Sequence, residues 1–151
     1  MTKIAALGLD VGRKRIGVAG CDGLGLMATE LTTIHRTSLD ADLAAIATWV
    51  KQREIEILVV GLPYSMDGSL GKQAKHTQKF ARKLNQILNI PVEYVDERLT
   101  SVEAENQLKA EKKYARQDKG LVDQRAATII LQQWLNQRLN QQKSGNYSTQ
   151  M

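Results

Sequence analysis

The sequence is poor in the residues that build disulfide frameworks, zinc sites and stacking surfaces. Among its 151 residues it has one cysteine, two histidines and only 5% aromatic residues. A single cysteine, Cys21, excludes an internal disulfide framework and fits a reducing compartment, so we expect a cytoplasmic protein. With only His35, His76 and Cys21 as soft ligands, a structural zinc site is disfavoured. The shortage of aromatic side chains disfavours recognition of single strands by base stacking.

The sequence also has no apolar run long enough to cross a bilayer, and its N-terminal segment shows no signal-peptide pattern. Charge, in contrast, is plentiful. There are 21 lysines and arginines against 16 aspartates and glutamates, a formal net charge of +5. We therefore expect one soluble domain that makes no membrane contact. The basic balance is compatible with a polyanionic partner but does not identify one, and any metal would be a hard cation held by carboxylates.

The first segment of the chain is predicted to be a β-hairpin. Two apolar runs, residues 4–9 and 16–19, flank a turn formed by residues 12–15, as in antiparallel strands joined by a short connection. Asp10 closes the first strand and shares a face with Ala6 and Gly8. The carboxylate has two interpretations that this stretch alone leaves open. It either caps the turn or forms part of a metal or phosphate site at the strand end.

The remaining pattern predicts a meander followed by alternating helices and strands. A third strand over 26–34 leads to a helix over 39–52 capped by Ser38, which is followed by a buried strand over 55–60. Further helices are predicted over 72–88, with Asn89 at its end, from residue 100 and over 121–139, and a further strand over 91–95. This order predicts an α/β fold with a mixed five-stranded sheet and helices on both faces.

Three polar segments lie between or beyond these elements. The loop over 61–71 follows a strand end, and its amides with Ser65 and Ser69 could hold phosphate, although a loop that only turns the chain is an equally good interpretation. Residues 111–119 are basic and predicted to be a mobile loop. Residues 1–139 are predicted to form the domain and residues 140–151 a disordered polar tail.

Three carboxylates stand at element ends. Asp10 ends the first strand, Glu97 the last strand, and Asp123 opens the final helix. If the first strand is central, all three converge at one edge of the sheet. Hard oxygen ligands that meet there would bind Mg²⁺ or Mn²⁺. Carboxylates so far apart in sequence have no local signature, so spacing alone is a weak indication.

Four segments in order closely resemble the YqgF family. They are Leu7–Ala19, Val59–Ser69, Val95–Ser101 and Val122–Ala127. These RNase H-like proteins are described as pre-16S rRNA nucleases or Holliday junction resolvases. The resemblance covers roughly residues 3–138 and implies an RNase H-like fold with a divalent-metal nuclease site. The polar tail falls outside it.

The resemblance also assigns roles to residues of this sequence. The acidic positions of the family fall on Asp10, Glu97 and Asp123, as catalytic residues and ligands of Mg²⁺ or Mn²⁺, with two ions expected. Phosphate contacts are expected from six residues: Arg13, Lys14, Arg15, Arg98, Thr100 and Lys119. The implied partner is nucleic acid, with pre-rRNA favoured, a DNA junction as alternative and ribosomal particles as a further partner. The chain is expected to be a monomer or weak homodimer.

Three functional hypotheses remain open from the sequence. The first is a metal-dependent endonuclease that acts on structured nucleic acid, chiefly at the 5′ end of pre-16S rRNA, or alternatively on Holliday junctions. The second is a non-cleaving RNA-binding factor for ribosome assembly. The third is an ATP-binding domain, because sugar kinases and actin-like ATPases use a similar hairpin. Those enzymes close two such domains around the nucleotide, and this chain has room for one.

Overall fold

The fold is built on a five-stranded mixed sheet. The structure, a computed structural model, describes residues 4–64, 67–97, 100–110 and 119–149. Its strands are β1 (Ala6–Val11), β2 (Arg15–Cys21), β3 (Ala28–His35), β4 (Ile57–Leu62) and β5 (Val92–Asp96). Its helices are α1 (Leu39–Arg53), α2 (Lys72–Leu88), α3 (Thr100–Ala110) and α4 (Lys119–Thr149).

The central strand is β1. The strand order is β3-β2-β1-β4-β5, with antiparallel pairing from β1 through β2 to β3 and parallel pairing from β1 through β4 to β5. The predicted fold class is therefore confirmed: a three-stranded antiparallel meander is extended by two parallel strands. Because β1 lies in the middle, the ends of β1, β4 and β5 come together at one edge of the sheet.

Alternation along β1 divides the core into two layers. Leu7, Leu9 and Val11 pack with α1 and α2 on one face of the sheet. Ala6 lies on the other face, in a cluster that α4 closes with Ile130 and other apolar residues. The alternating pattern places Asp10 on the same face as Ala6, as the sequence predicts, and α4 covers this face.

Local capping signals in the sequence are confirmed. Ser38 accepts a hydrogen bond from the amide of Ala41 at 3.1 Å and so begins α1. Asn89 takes a left-handed conformation, with φ of 54°, and its amide donates to the carbonyl of Asn85, which ends α2. A serine hydroxyl can accept the hydrogen bond needed at a helix start. Asparagine adopts the left-handed conformation at a helix end more readily than most other residues.

Several element boundaries differ from their predictions by one or two residues, and the end of α4 differs by more. β4 begins two residues later than predicted and includes Gly61 and Leu62, which had been assigned to the loop. The last helix was predicted to end at Leu139, whereas α4 continues to Thr149. Extending a formed helix costs far less than starting one, and glutamine and lysine are good helix formers. The division into domain and tail stays a prediction.

Some predictions fall outside the described residues. They concern Ser65, Arg98 and the basic loop over 111–118, and the side chains of Thr100 and Lys119 are likewise not described. In the part of the chain that is described, no helix combines the length and the apolar character needed to cross a bilayer.

Candidate active site

The site begins with Asp10, near the end of the central strand. Asp10 pairs in register with Gly17 of β2 and is partly buried. Its neighbours on the same strand are fully packed, so the backbone beneath the carboxylate is held by the core on both faces of the sheet. A side chain on such a strand is positioned more rigidly than one on a loop.

Glu97 reaches the same place from the end of β5. Its amide donates to the carbonyl of Leu62 at 3.1 Å, so the chain stays attached to β4 just past the last strand pair. Its side chain lies over Gly61, where a Cβ atom would stand 2.6 Å from Glu97 Oε2 and 2.5 Å from Ile130 Cδ1. A glycine at residue 61 is therefore what leaves room for the carboxyl group.

The side chains of Asp10 and Glu97 are hydrogen-bonded to each other. Burial, followed by the neighbouring charge of Asp10, raises the pKa of Glu97 to about 10. Burial is also the main reason that the pKa of Asp10 rises to about 6. The pair therefore holds a proton at neutral pH, with Glu97 as the donor. Two carboxyl groups forced together in a poorly solvated place are typical of functional sites.

Asp123 approaches from α4. A Cβ atom at Gly17 would overlap the backbone carbonyl of Asp123, so the helix and β2 touch directly at this point. The Asp123 carboxylate is paired with Arg15, whose Nε donates to Oδ2 at 2.6 Å. Its charge is close enough to raise the pKa of Asp10, whereas Arg15 lowers it. All three predicted carboxylates therefore lie at one edge of the sheet, although only two are hydrogen-bonded to each other.

The donor set suits a hard divalent cation but is not assembled around one. Within the described ranges, no three His, Cys, Asp or Glu side chains are arranged to hold a metal ion. Asp10 and Glu97 converge, whereas Asp123 is engaged by Arg15. A cation between Asp10 and Glu97 would favour their ionised forms and remove the cost that raises both pKa values.

The predicted phosphate contacts near the hairpin have separate positions. Arg13 is exposed and donates through Nε to Gln73 at 3.2 Å. Lys14 is exposed at the tip, and its carbonyl accepts the amide of Arg36 at 2.8 Å. Arg15 is half-buried on Asp123 and so differs from a free surface cation.

The loop after β4 uses its described hydroxyl internally. Ser69 donates through its hydroxyl and its amide to Asp67 Oδ1, at 2.7 and 2.9 Å. This Asx-type turn engages the hydroxyl group that the sequence offered to phosphate. The structure thus favours the second interpretation of this serine, in which it turns the chain.

Sequence reasoning missed the glycines that build the site and the pairing of Arg15 with Asp123. Gly17 and Gly61 interrupt otherwise apolar strands, a pattern that indicates a close approach by another backbone or side chain. That signal was present in the sequence. The ion pair has no such signal, because its partners are 108 residues apart.

The fold defines the class of protein first. RuvC of T. thermophilus, solved in complex with a Holliday junction substrate, superposes with a TM-score of 0.58 at 14% identity, covering 90% of this chain and 96% of that one. The yeast mitochondrial Holliday junction resolvase gives a TM-score of 0.62 at 10% identity, covering 99% and 85%. At these identities the likeness shows the fold, which is that of the RuvC-like, RNase H-like proteins.

Sequence comparison then specifies the family. The chain belongs to the RuvX family, whose model, described as "Holliday junction resolvase", matches residues 4–137. A relative from Picosynechococcus sp., named "Putative pre-16S rRNA nuclease", is 78% identical over 138 residues, covering 91% of this chain and 96% of that protein. A relative of the same name from Synechocystis sp. is 62% identical over 143 residues, covering 95% and 94%. These matches confirm the resemblance to the YqgF family.

Proposed function

We propose that this protein is a divalent-metal-dependent endonuclease that cleaves structured nucleic acid, with the 5′ end of pre-16S rRNA as its main substrate. The observation that carries the proposal is the partly buried, hydrogen-bonded pair of Asp10 and Glu97 at the end of the central strands. The names of the relatives support the substrate, and the family model supports a nuclease in general. The cytoplasm is the compartment expected for such a substrate.

The carboxylates of the site would bind metal, and the nearby cations would bind the phosphates of the substrate. Asp10 and Glu97 would hold Mg²⁺ or Mn²⁺, and Asp123 would join them when it leaves Arg15. Bound ions of this kind activate water and stabilise a leaving oxygen, and two ions are expected. Arg15, once released, would donate to a phosphate of the substrate, and Arg13 and Lys14 would position the strand by further phosphate contacts. These contacts position the strand without reading its sequence.

A DNA junction is the second candidate substrate. It is favoured by the description of the matching family model as a Holliday junction resolvase. The residues described here offer phosphate contacts, and phosphates occur in both nucleic acids. The substrate assay below therefore includes both. A non-cleaving role in ribosome assembly, with ribosomal particles as partners, is the outcome if binding occurs without cleavage.

The test is a cleavage assay of purified wild type and Asp10→Asn on a pre-16S rRNA fragment, single-stranded RNA and a four-way DNA junction. Loss of groups that only orient a metal ligand costs about 10–100-fold, so loss of a ligand should lower the rate by more than about 100-fold. Asp40→Asn, which removes an exposed carboxylate from the first turn of α1, is the matched control and should cleave at the wild-type rate.

Chelator should abolish cleavage by the wild type. Equal cleavage by wild type and Asp10→Asn would refute the assignment of this site. Binding to every substrate without metal-dependent cleavage would replace the nuclease with the assembly factor.

A further inference from the structure

A polar pocket lies at the same end of the sheet as the carboxylates. It is on the face that α1 and α2 cover, opposite the face that α4 covers. It has a volume of about 390 Å³, within the range of small-molecule sites. It lies between the β1–β2 turn, the start of α1 and the first half of α2. We call it the hairpin pocket, and its polar lining includes Arg13, Arg36, Ser38, Gln73, His76 and Thr77.

Arg36 is held rigidly in this pocket. Its Nε donates to Asp42 at 2.9 Å, its Nη1 donates to the carbonyl of Gly12 at 2.8 Å, and its guanidinium lies 4.8 Å from the centre of the Phe80 ring. These two bonds use two of the five N–H groups of the guanidinium. Asp42, the acidic residue of the lining, is neutralised by this contact. The pocket therefore presents fixed donors without a free negative charge.

Thr77 is the second, independent observation. It is 1% exposed and lines the pocket, and its hydroxyl has no hydrogen-bond partner among the described residues. Buried hydroxyl groups are nearly always hydrogen-bonded, so an unpartnered one at a cavity wall is a group that a bound ligand would satisfy. Ser38 adds the N-terminus of α1, where backbone amides favour an anion.

The surrounding charge favours a polyanion over a small free anion. From the pocket, α2 continues with five cations and no acidic residue: Lys72, Lys75, Lys79, Arg82 and Lys83. A row of cations longer than one phosphate group matches a strand of nucleic acid. Asp10 and Arg13 are three residues apart, so their Cα atoms are at most about 11 Å apart. One strand could therefore contact both sites across the hairpin.

We propose that the hairpin pocket binds a backbone phosphate of the nucleic acid, outside the catalytic centre. Arg13, Arg36 and Thr77 act as donors, and the pocket positions the strand that passes over the turn. The identity of the partner rests on the proposed function. The pocket itself does not depend on metal or on cleavage, so the two proposals can fail separately.

The test measures binding in chelator, where no cleavage is expected, by fluorescence anisotropy on a structured RNA and a four-way DNA junction. Thr77→Val keeps the side-chain volume and removes an unpartnered hydroxyl, so it should fold normally. We expect it to weaken binding by about threefold or more. Arg13→Gln should weaken binding by about fivefold or more and reduce the salt dependence by about one phosphate contact.

The matched controls lie away from the pocket. Thr48→Val removes an exposed hydroxyl that bonds within α1, and Lys51→Gln removes a cation from the last turn of α1. Both should bind within twofold of wild type. The proposed phosphate site would be refuted if Thr77→Val and Arg13→Gln bound nucleic acid with wild-type affinity. It would also be refuted if the controls lost as much affinity as these variants.

Two further measurements separate the alternatives. In the cleavage assay with metal, Thr77→Val should raise the substrate concentration that gives the half-maximal rate, because the pocket contributes to binding. If wild type binds but does not cleave, and Thr77→Val binds more weakly than wild type, the proposed phosphate site is supported and the proposed nuclease function is refuted. If inorganic phosphate shifts the amide signals of residues 73–77 while both variants bind nucleic acid as wild type does, the ligand is free phosphate and the assignment to a strand is wrong.

Discussion

At the scale of single residues, the Asp10–Glu97 pair provides the geometry of the site but lowers the stability of the fold at neutral pH. In the unfolded chain both carboxyl groups are solvated, and they ionise near their ordinary values of 3.8 and 4.5. In the folded protein both pKa values are raised, mainly by burial. Between those ranges the folded protein binds more protons than the unfolded chain. The free energy of unfolding therefore falls as the pH rises from about 4 towards 10.

Glu97→Gln should accordingly stabilise the metal-free protein. The amide keeps the shape and removes the ionisation, so the free energy of unfolding at pH 7 should rise by about 1 kcal/mol or more. That corresponds to roughly 2–4 °C in melting temperature per kcal/mol. Thermal melts in chelator at pH 4, 5.5, 7 and 8.5 measure it, and the gain should vanish near pH 4. Glu56→Gln, at an exposed residue, should show no such trend. A Glu97→Gln protein no more stable than wild type at pH 7 would contradict the raised pKa.

At the scale of elements, the contact between α4 and β2 places Asp123. Gly17 permits it, because any Cβ atom there would overlap the helix backbone. Thr33 supports the same junction by donating to the carbonyl of Gly120 at 2.7 Å. These contacts fix the start of α4 against the sheet, and they thereby set the position of the Asp123 carboxylate.

Gly17→Ala should therefore destabilise the protein strongly. Overpacking of a close contact typically costs about 1–3 kcal/mol, and here the obstacle is backbone that cannot rotate away. Urea denaturation measures the loss. Gly23→Ala is the matched control, since Gly23 lies exposed in the β2–β3 turn and outside the left-handed region. Equal midpoints for the two variants would show that α4 can shift without cost.

The sequence predicted elements well where local chemistry decides them. Ser38 begins a helix through its side chain and Asn89 ends one through its left-handed backbone. The continuous apolar run of β4 indicates a buried parallel strand. The end of α4 was missed because polar residues such as those after Leu139 suit a helix as well as a tail. The convergence of Asp10 and Glu97 was expected from strand order. The pairing of Asp123 with Arg15 was not, because it depends on how a helix and a hairpin dock.

At the scale of the whole molecule, metal binding should couple to stability. A ligand that binds only the folded state at 100 times its Kd adds about 2.7 kcal/mol to the free energy of unfolding. Wild type should therefore melt several degrees higher in saturating Mg²⁺ or Mn²⁺ than in chelator. Asp10→Asn should lose most of this shift, and Asp40→Asn should keep it. Scanning calorimetry measures it independently of cleavage. An equal shift in Asp10→Asn would place the metal elsewhere.

The strand order has a consequence for synthesis on the ribosome. Asp10 emerges before Asp123, which belongs to α4, more than a hundred residues later. Because synthesis proceeds at about 5–20 residues per second, α4 becomes available to β1 several seconds or longer after β1 has been made. A nascent chain thus carries only part of the site until α4 docks. The complete centre therefore forms only after α4 has been synthesised and has docked on the sheet.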